Sequence, residues 1–259
     1  MDDKTRKKVE TMRRAGKMLG EVLAQVLMAV KPGVTEIELD RLAERLILEK
    51  GGEVSFKKVD GYQHTICVST NNVVVHGIPK ERVLREGDII GIDCGVYLDG
   101  YHTDMAETIT VGNVTDEKIR QFLRTGKKAM FEGVKQAKIG HRVGHISRIM
   151  QDTMEGGGYS VVRSLVGHGV GKELHEEPEV PGYLEKEMRK TPPLTEGMTI
   201  AVEAIYNMGG PGVKYDGSDD WTIVSEDGSP AGLFERTIVI TDKGPELLTY
   251  FPGETLPLP

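Results

Sequence analysis

The chain has 259 residues, 38% hydrophobic and 28% charged, the balance of a soluble globular protein with enough length for one large domain or two small ones. Its net charge of −7 argues against a protein that coats nucleic acid or lies on an anionic membrane, and no run approaches the ~18 apolar residues of a membrane span. The opening MDDKTRKKVE lacks the apolar core of a signal peptide, which points to the cytoplasm, and the two cysteines, Cys67 and Cys94, have no zinc-type spacing and are expected reduced and buried.

From Val9 to Val30 apolar residues recur at helical spacing, and Lys31-Pro32-Gly33 stops that helix. Thr35-Glu36-Ile37-Glu38 reads as a capping box opening a second helix, which ends at Gly51-Gly52. The basic residues Lys4, Arg6, Lys7, Lys8, Arg13 and Arg14 read as a solvated helix face, with an acidic partner surface as the alternative. Short apolar runs follow: Thr65 to Ser69, then Val73 to Val75 leading into His76-Gly77, then Asp88 to Gly112. After Val114 the spacing is helical again, from about Asp116 to Ala137 and from Val143 to Glu155, with breaks at Gly140 and Gly156-Gly157-Gly158 before further strands.

The Asp88 to Gly112 stretch carries the first sign of chemistry. With Asp99-Gly100 as a two-residue hairpin loop, Asp93 faces Ala106 and Asp104 faces Gly95. The two aspartates then project from one face as diagonal cross-strand neighbours, roughly 7 to 8 Å apart at the backbone. Carboxylates inside strand-like sequence cost several kcal/mol unless something positive meets them, so one metal ion or a pair is the sharp reading. A solvated face on an edge hairpin is the plain one.

The order helix, K-x-G break, helix, Gly-Gly, strands restarts about 107 residues on, Gly33 recurring as Gly140 and Gly51 as Gly158. Leu84 to Asp93 parallels Leu194 to Glu203 at an offset of 110, which sets Asp93 and Glu203 at equivalent positions. No Pro/Ser-rich linker separates the copies, so residues 1–259 are expected to form a single domain of two pseudo-symmetric halves, about 1–112 and 113–259. The expected class is α+β, with helices on one face of a curved, mainly antiparallel sheet and a site between the halves.

Three further elements join the aspartates. His168 lies in VGHGVG, where glycines allow close backbone approach, with His175 seven residues on in HEEPEV. Glu203 lies in MTIAVEAIY and Glu235 in LFERTIVIT, both inside apolar strand-like runs. Four carboxylates and one imidazole form a hard, oxygen-rich donor set that suits two divalent ions better than a structural zinc.

At this point the chain resembles a known family over nearly its full length, the type 1 methionine aminopeptidases of the pita-bread fold. The resemblance rests on VVVHGIP at Val73 to Pro79, the D-x10-D pair Asp93 and Asp104, GHGVGKELHEEPEV at Gly167 to Val180, the Glu203 strand, Trp221 in DDWTIV and the Glu235 strand. It implies a metallo-exopeptidase that removes the initiator methionine from nascent chains and peptides when the second residue is small. It implies a centre of two divalent ions, Co, Mn, Fe or Zn, held by Asp93, Asp104, His168, Glu203 and Glu235, with Asp104 and Glu235 bridging. By the same resemblance Glu203 shuttles the proton, His175 polarises the scissile carbonyl and His76 supports the departing nitrogen. Tyr62, Cys67, Leu174 and Trp221 then surround the methionine side chain. A monomer is expected, with transient ribosome contact and no membrane or specific nucleic-acid partner.

The chain departs from the family pattern at Ala204, where proline is usual, at Arg236, where histidine is usual, and between Phe56 and Cys67, where His64 is unfamiliar. Arg236 is expected on the face opposite Glu235, tuning packing or charge behind the site, and the altered segment bears on Tyr62 and Cys67. His102, His141 and His145 read as structural or surface residues, with a place behind the metal ligands as the alternative for His102, which sits nearest the metal strand. The alternatives are an X-Pro aminopeptidase or prolidase of the same fold and a non-catalytic, peptide-binding relative.

Overall fold

The computed structural model describes residues 1–256. Its helices are α1 (Asp3–Ala29), α2 (Glu36–Glu49), α3 (Glu117–Lys135) and α4 (Val143–Gly156). Its strands are β1 (Glu53–Val54), β2 (Ile66–Thr70), β3 (Val73–Val75), β4 (Ile89–Leu98), β5 (Tyr101–Thr110), β6 (Ser160–Val161), β7 (Gly167–Gly169), β8 (Glu176–Val180), β9 (Thr199–Asn207), β10 (Val213–Tyr215), β11 (Ile223–Ser225), β12 (Ala231–Thr241) and β13 (Gly244–Leu247).

Local chemistry sets the helix ends. The Thr35/Glu38 capping box opens α2, and Asp116 caps α3 by accepting the Lys118 N–H. Helix α1 begins ahead of its apolar stripe, because the Asp2 carboxylate accepts the Thr5 N–H and caps it from there. His145 Nδ1 accepts the Arg142 N–H at the start of α4 and its ring stacks on His141, so both histidines serve the helix end.

The basic face of α1 is not uniformly solvated, which corrects the reading above. Lys4, Arg6 and Lys7 are exposed, but Lys8 Nζ reaches Thr199 Oγ1 on β9 at 3.1 Å and Arg13 chelates Glu246 on β13 at 2.6 and 2.9 Å. These residues clamp the helix to the sheet. Gly16 and Gly20 bring it closer still, since a Cβ on either would meet the Leu248 or Tyr250 carbonyl oxygen at 2.1 and 1.8 Å.

The main sheet runs β1-β4-β5-β12-β9-β7-β8, with β2 on β4, β6 on β9 and β13 on β12, every pair antiparallel. Alternation along the strands sorts its two faces. Ile90, Ile92 and Cys94 of β4 pack against Leu19, Leu23 and Ile47 of α1 and α2, while Val202, Ala204 and Phe234 pack against Phe122, Met130 and Ile146 of α3 and α4. At some 25 cal/mol per Å² of apolar surface, these two clusters are the main source of stability. The residues between, Asp93, Glu203 and Glu235, take the opposite face. A smaller sheet, β10-β11-β3, stands beside that face.

The hairpin has the expected register, Asp93 opposite Ala106 and Gly95 opposite Asp104, closed by Asp99 and Gly100 at φ +47° and +91°. In the other half of the sheet β9 and β12 pair Glu203 with Glu235. The strands between differ: β4 and β5 share ten residue pairs and β9 and β12 nine, but β5 and β12 share two, Ala106 with Glu235 and Met105 with Arg236. Beyond that short ladder threonine hydroxyls replace backbone partners. Thr237 Oγ1 accepts the Asp104 N–H at 2.9 Å and donates to the Asp104 carbonyl at 2.8 Å; Thr108 Oγ1 accepts the Leu233 N–H at 3.0 Å and donates to the Leu233 carbonyl at 2.6 Å.

Candidate metal centre and active site

Register alone assembles a row across five strands. Cys67 on β2 pairs with Asp93 on β4, Asp93 with Ala106 on β5, Ala106 with Glu235 on β12, and Glu235 with Glu203 on β9. Directly opposed residues share a face, so all five side chains point the same way, and Asp104 joins them from two residues along β5. His168 enters from β7, whose glycines let it lie tight against its neighbours: a Cβ at Gly167 would meet the Ala201 carbonyl at 2.5 Å and one at Gly169 the Glu177 carbonyl at 2.3 Å.

The donors converge. Ligand atoms of Asp104, His168 and Glu235 all lie within 4.8 Å of one another, and His168 Nε2 is 3.5 Å from Glu203 Oε1. His168 Nδ1 donates to the Gly169 carbonyl at 2.8 Å, which leaves the Nε2 lone pair facing the carboxylates. Burial drives its pKa down to about 4, holding the ring neutral, the form that ligates.

The carboxylates are displaced the opposite way. Burial raises Asp93 to about 7 and pushes Asp104, Glu203 and Glu235 well above the carboxylate range, with their mutual repulsion adding to it. Asp93 Oδ1 and Glu235 Oε1 are buried without a hydrogen-bond partner. Unpartnered carboxylate oxygens of this kind cost several kcal/mol, and a divalent cation would satisfy both. The residues present therefore fit a hard metal centre.

A cleft of about 470 Å³ opens over the row, and every residue expected to bind metal or substrate lines it. Phe56, Tyr62, Cys67 and Leu174 form an apolar wall with Trp221 against it, Tyr62 meeting Phe56 and Trp221 edge to face at 6.2 and 5.1 Å. Burial raises the Cys67 thiol well above its usual range, so this wall stays uncharged. The altered segment keeps Tyr62 and Cys67 in the wall: Tyr62 Oη donates to the Ile66 carbonyl at 2.8 Å, and His64 packs on the Tyr62 ring.

His76 comes from the end of β3 with φ +54°, a strained conformation for a non-glycine residue and one that concentrates at functional sites. Burial takes its pKa down to about 4. His175 stands exposed at the mouth, its ring centroid 4.4 Å from that of His168. The loop behind it rests on the hairpin tip through the His102 N–H, which donates to the Gly171 carbonyl at 2.8 Å. The His102 side chain turns to Ser55 Oγ at 2.7 Å and does not line the cleft over the row.

Sequence reading missed Phe56 and Val59 as cleft residues. The signal was the burial expected of a lone aromatic in a polar stretch. Of the departures from the family pattern, Ala204 is buried on the helix face and keeps an N–H that proline would remove. Arg236 also lies on the helix face, opposite Glu235 as expected, with no exposed surface.

Residues 10–242 match the model of metallopeptidase family M24. A methionine aminopeptidase of Clostridium acetobutylicum is 47% identical over 242 residues, 93% of this chain and 95% of that protein. Crystal structures of methionine aminopeptidases from Thermotoga maritima and Rickettsia prowazekii superpose with TM-scores of 0.90 and 0.91 at 37% and 34% identity; the alignments cover 94% and 95% of this chain and 96% and 98% of theirs. The chain belongs to metallopeptidase family M24, and within it to the methionine aminopeptidases of the pita-bread fold.

Proposed function

We propose that this protein is a two-metal aminopeptidase that removes N-terminal methionine from peptides and nascent chains, preferring a small second residue. The observation that carries the proposal is the donor set gathered on and beside the row: four carboxylates and one neutral imidazole facing a cleft, with two buried carboxylate oxygens unpartnered and an apolar wall one strand away. Family membership supports it, and the identity to a protein named methionine aminopeptidase favours it over X-Pro peptidase and non-catalytic readings.

Asp93, Asp104, His168, Glu203 and Glu235 would hold the ions. Bound divalent ions supply a Lewis acid and a water of lowered pKa. The Glu203 carboxylate takes the proton of the attacking water on an Oε and passes it to the leaving amide nitrogen. His175 donates a ring N–H to the scissile carbonyl oxygen as charge develops there, and His76 supports the departing nitrogen. The methionine side chain lies against Tyr62, Cys67, Leu174 and Trp221, where sulfur and aromatic edges suit a thioether. The exposed Lys4, Arg6 and Lys7 suit transient contact with the ribosome of a monomer acting in the cytoplasm.

Metal stoichiometry and turnover of a Met-Ala peptide, measured on one sample of the parent and one of Asp104→Ala, test the reading. Both quantities fall in the variant. Equal metal content and turnover in the two samples would overturn the proposal.

A further inference from the structure

The face of the sheet opposite the row holds a charged group with no part in binding substrate. Arg236 is fully buried and all its N–H donors are used. Nε and Nη2 grip Glu254 at 2.9 Å each, and Nη2 also reaches Glu107 at 2.8 Å. Nη1 donates to the carbonyls of Glu235 and Ala106 at 2.8 and 3.1 Å. Those carbonyls belong to one of the two residue pairs by which β5 and β12 are joined in register. Lys127 on α3 adds a cation, 2.6 Å from Glu107 and 3.6 Å from Glu254.

Glu254 comes from the C-terminal segment, which is fastened to the same strands. Leu248 N–H donates to the Thr237 carbonyl at 2.9 Å, and Thr249 Oγ1 accepts the Thr237 N–H at 2.8 Å and donates to the Asp104 carbonyl at 3.2 Å. The Phe251 ring lies 4.9 Å from the guanidinium, and Gly16 and Gly20 of α1 leave room for the strap to pass.

We propose that Arg236, closed by Glu254 and Glu107, is a positioning latch that fixes the separation of the Asp104 and Glu235 carboxylates across the β5–β12 seam, and so sets metal affinity from behind the sheet. The two-pair ladder reaches Glu235 but not Asp104, which β12 holds through the Thr237 hydroxyl, so a side chain that bonds a carbonyl of each strand, held by a strap that also bonds Asp104, shares the task of fixing that separation. The inference rests on the metal-centre reading above. Groups that orient ligands from behind commonly change metal affinity by about 10- to 100-fold when removed.

Titration calorimetry with Mn²⁺ on the full chain compares the parent with Glu254→Gln and Arg236→Lys, beside the thermal midpoint of each metal-free protein and the visible bands of its Co²⁺ form. Both variants are expected to stay folded, to bind Mn²⁺ at least about 10-fold more weakly and to shift the Co²⁺ bands, which report ligand geometry. A lowered midpoint with parental Mn²⁺ affinity and parental bands would reduce Arg236 to packing and overturn the latch while leaving the metal centre in place. A parent that takes up no Mn²⁺ would instead overturn the underlying reading, and the latch with it. Where Arg236→Lys does not fold, Glu254→Gln decides by the same readouts.

Discussion

The β4–β5 hairpin and the β9–β12 pair are the two sides of the site, and they are nearly the same object. Asp93 and Glu203 lie 110 residues apart at matching positions; Ala106 and Glu235 lie 129 apart and face each other across the seam. Thr108 grips Leu233 as Thr237 grips Asp104, again at an offset of 129 on each strand. We read the pairs as copies related by a pseudo-twofold axis between Ala106 and Glu235. The acids break the symmetry: the first copy has Asp104 where the second has Leu233, and the second has Glu235 where the first has Ala106. Neither copy holds a full donor set. A duplicated backbone supplies the geometry, and unequal placement of the acids supplies the donor set proposed above.

The largest expected effect comes from making the copies alike. Glu235→Ala reproduces Ala106, removes a carboxylate of the proposed metal centre and should cut kcat/KM about 10³-fold, several kcal/mol of transition-state stabilisation, together with metal content. Retained turnover in metal-replete buffer would show that the asymmetry is idle. Next in size, Glu203→Gln should lower kcat about 10²-fold through lost proton transfer with KM little changed, whereas Asp93→Asn at the matching position should act through metal affinity. Indistinguishable kinetics for the two would mean that the equivalent positions share one role.

A smaller effect follows from the raised carboxylate pKa values. In metal-free protein the folded state holds protons on Asp93 up to about pH 7, while the unfolded chain releases them in the ordinary carboxylate range. The penalty is therefore absent below about pH 4 and complete above about pH 7, so metal-free stability falls as pH rises between them. Mn²⁺ should raise the thermal midpoint more at pH 7.5 than at pH 5, and an equal rise at both would contradict the assignment. Smallest of all, Glu246→Gln breaks a half-exposed clamp on α1 and should cost about 0.2–1 kcal/mol, leaving kcat/KM at the parental value.

Much of this was legible because it depends on local rules. A two-residue turn fixes the Asp93 and Asp104 register, and the capping box at Thr35 fixes the start of α2. The 110-residue offset was visible because few insertions separate β4 from β9. The 129-residue offset was hidden, since the second copy replaces the Asp99-Gly100 turn with a longer connection carrying β10 and β11. That insertion brings in Trp221 and displaces the threonine match from where a single offset would find it. The fates of Lys8 and Arg13 were also out of reach, because a helix-face cation has the same spacing whether it meets water or Thr199 and Glu246. So was the latch: Glu254 lies 18 residues beyond Arg236, and nothing local couples them.

The row that ends at Cys67 also works as a ruler. Hard carboxylates give way to an apolar thiol between β4 and β2, one strand spacing of about 4.8 Å, and burial keeps that thiol protonated so the boundary stays sharp. The offset between the carboxylates and the apolar wall is then set by backbone hydrogen bonds, the least adjustable distance in the molecule. Under the proposed function, that strand spacing sets the reach a side chain needs from the reacting bond to the wall.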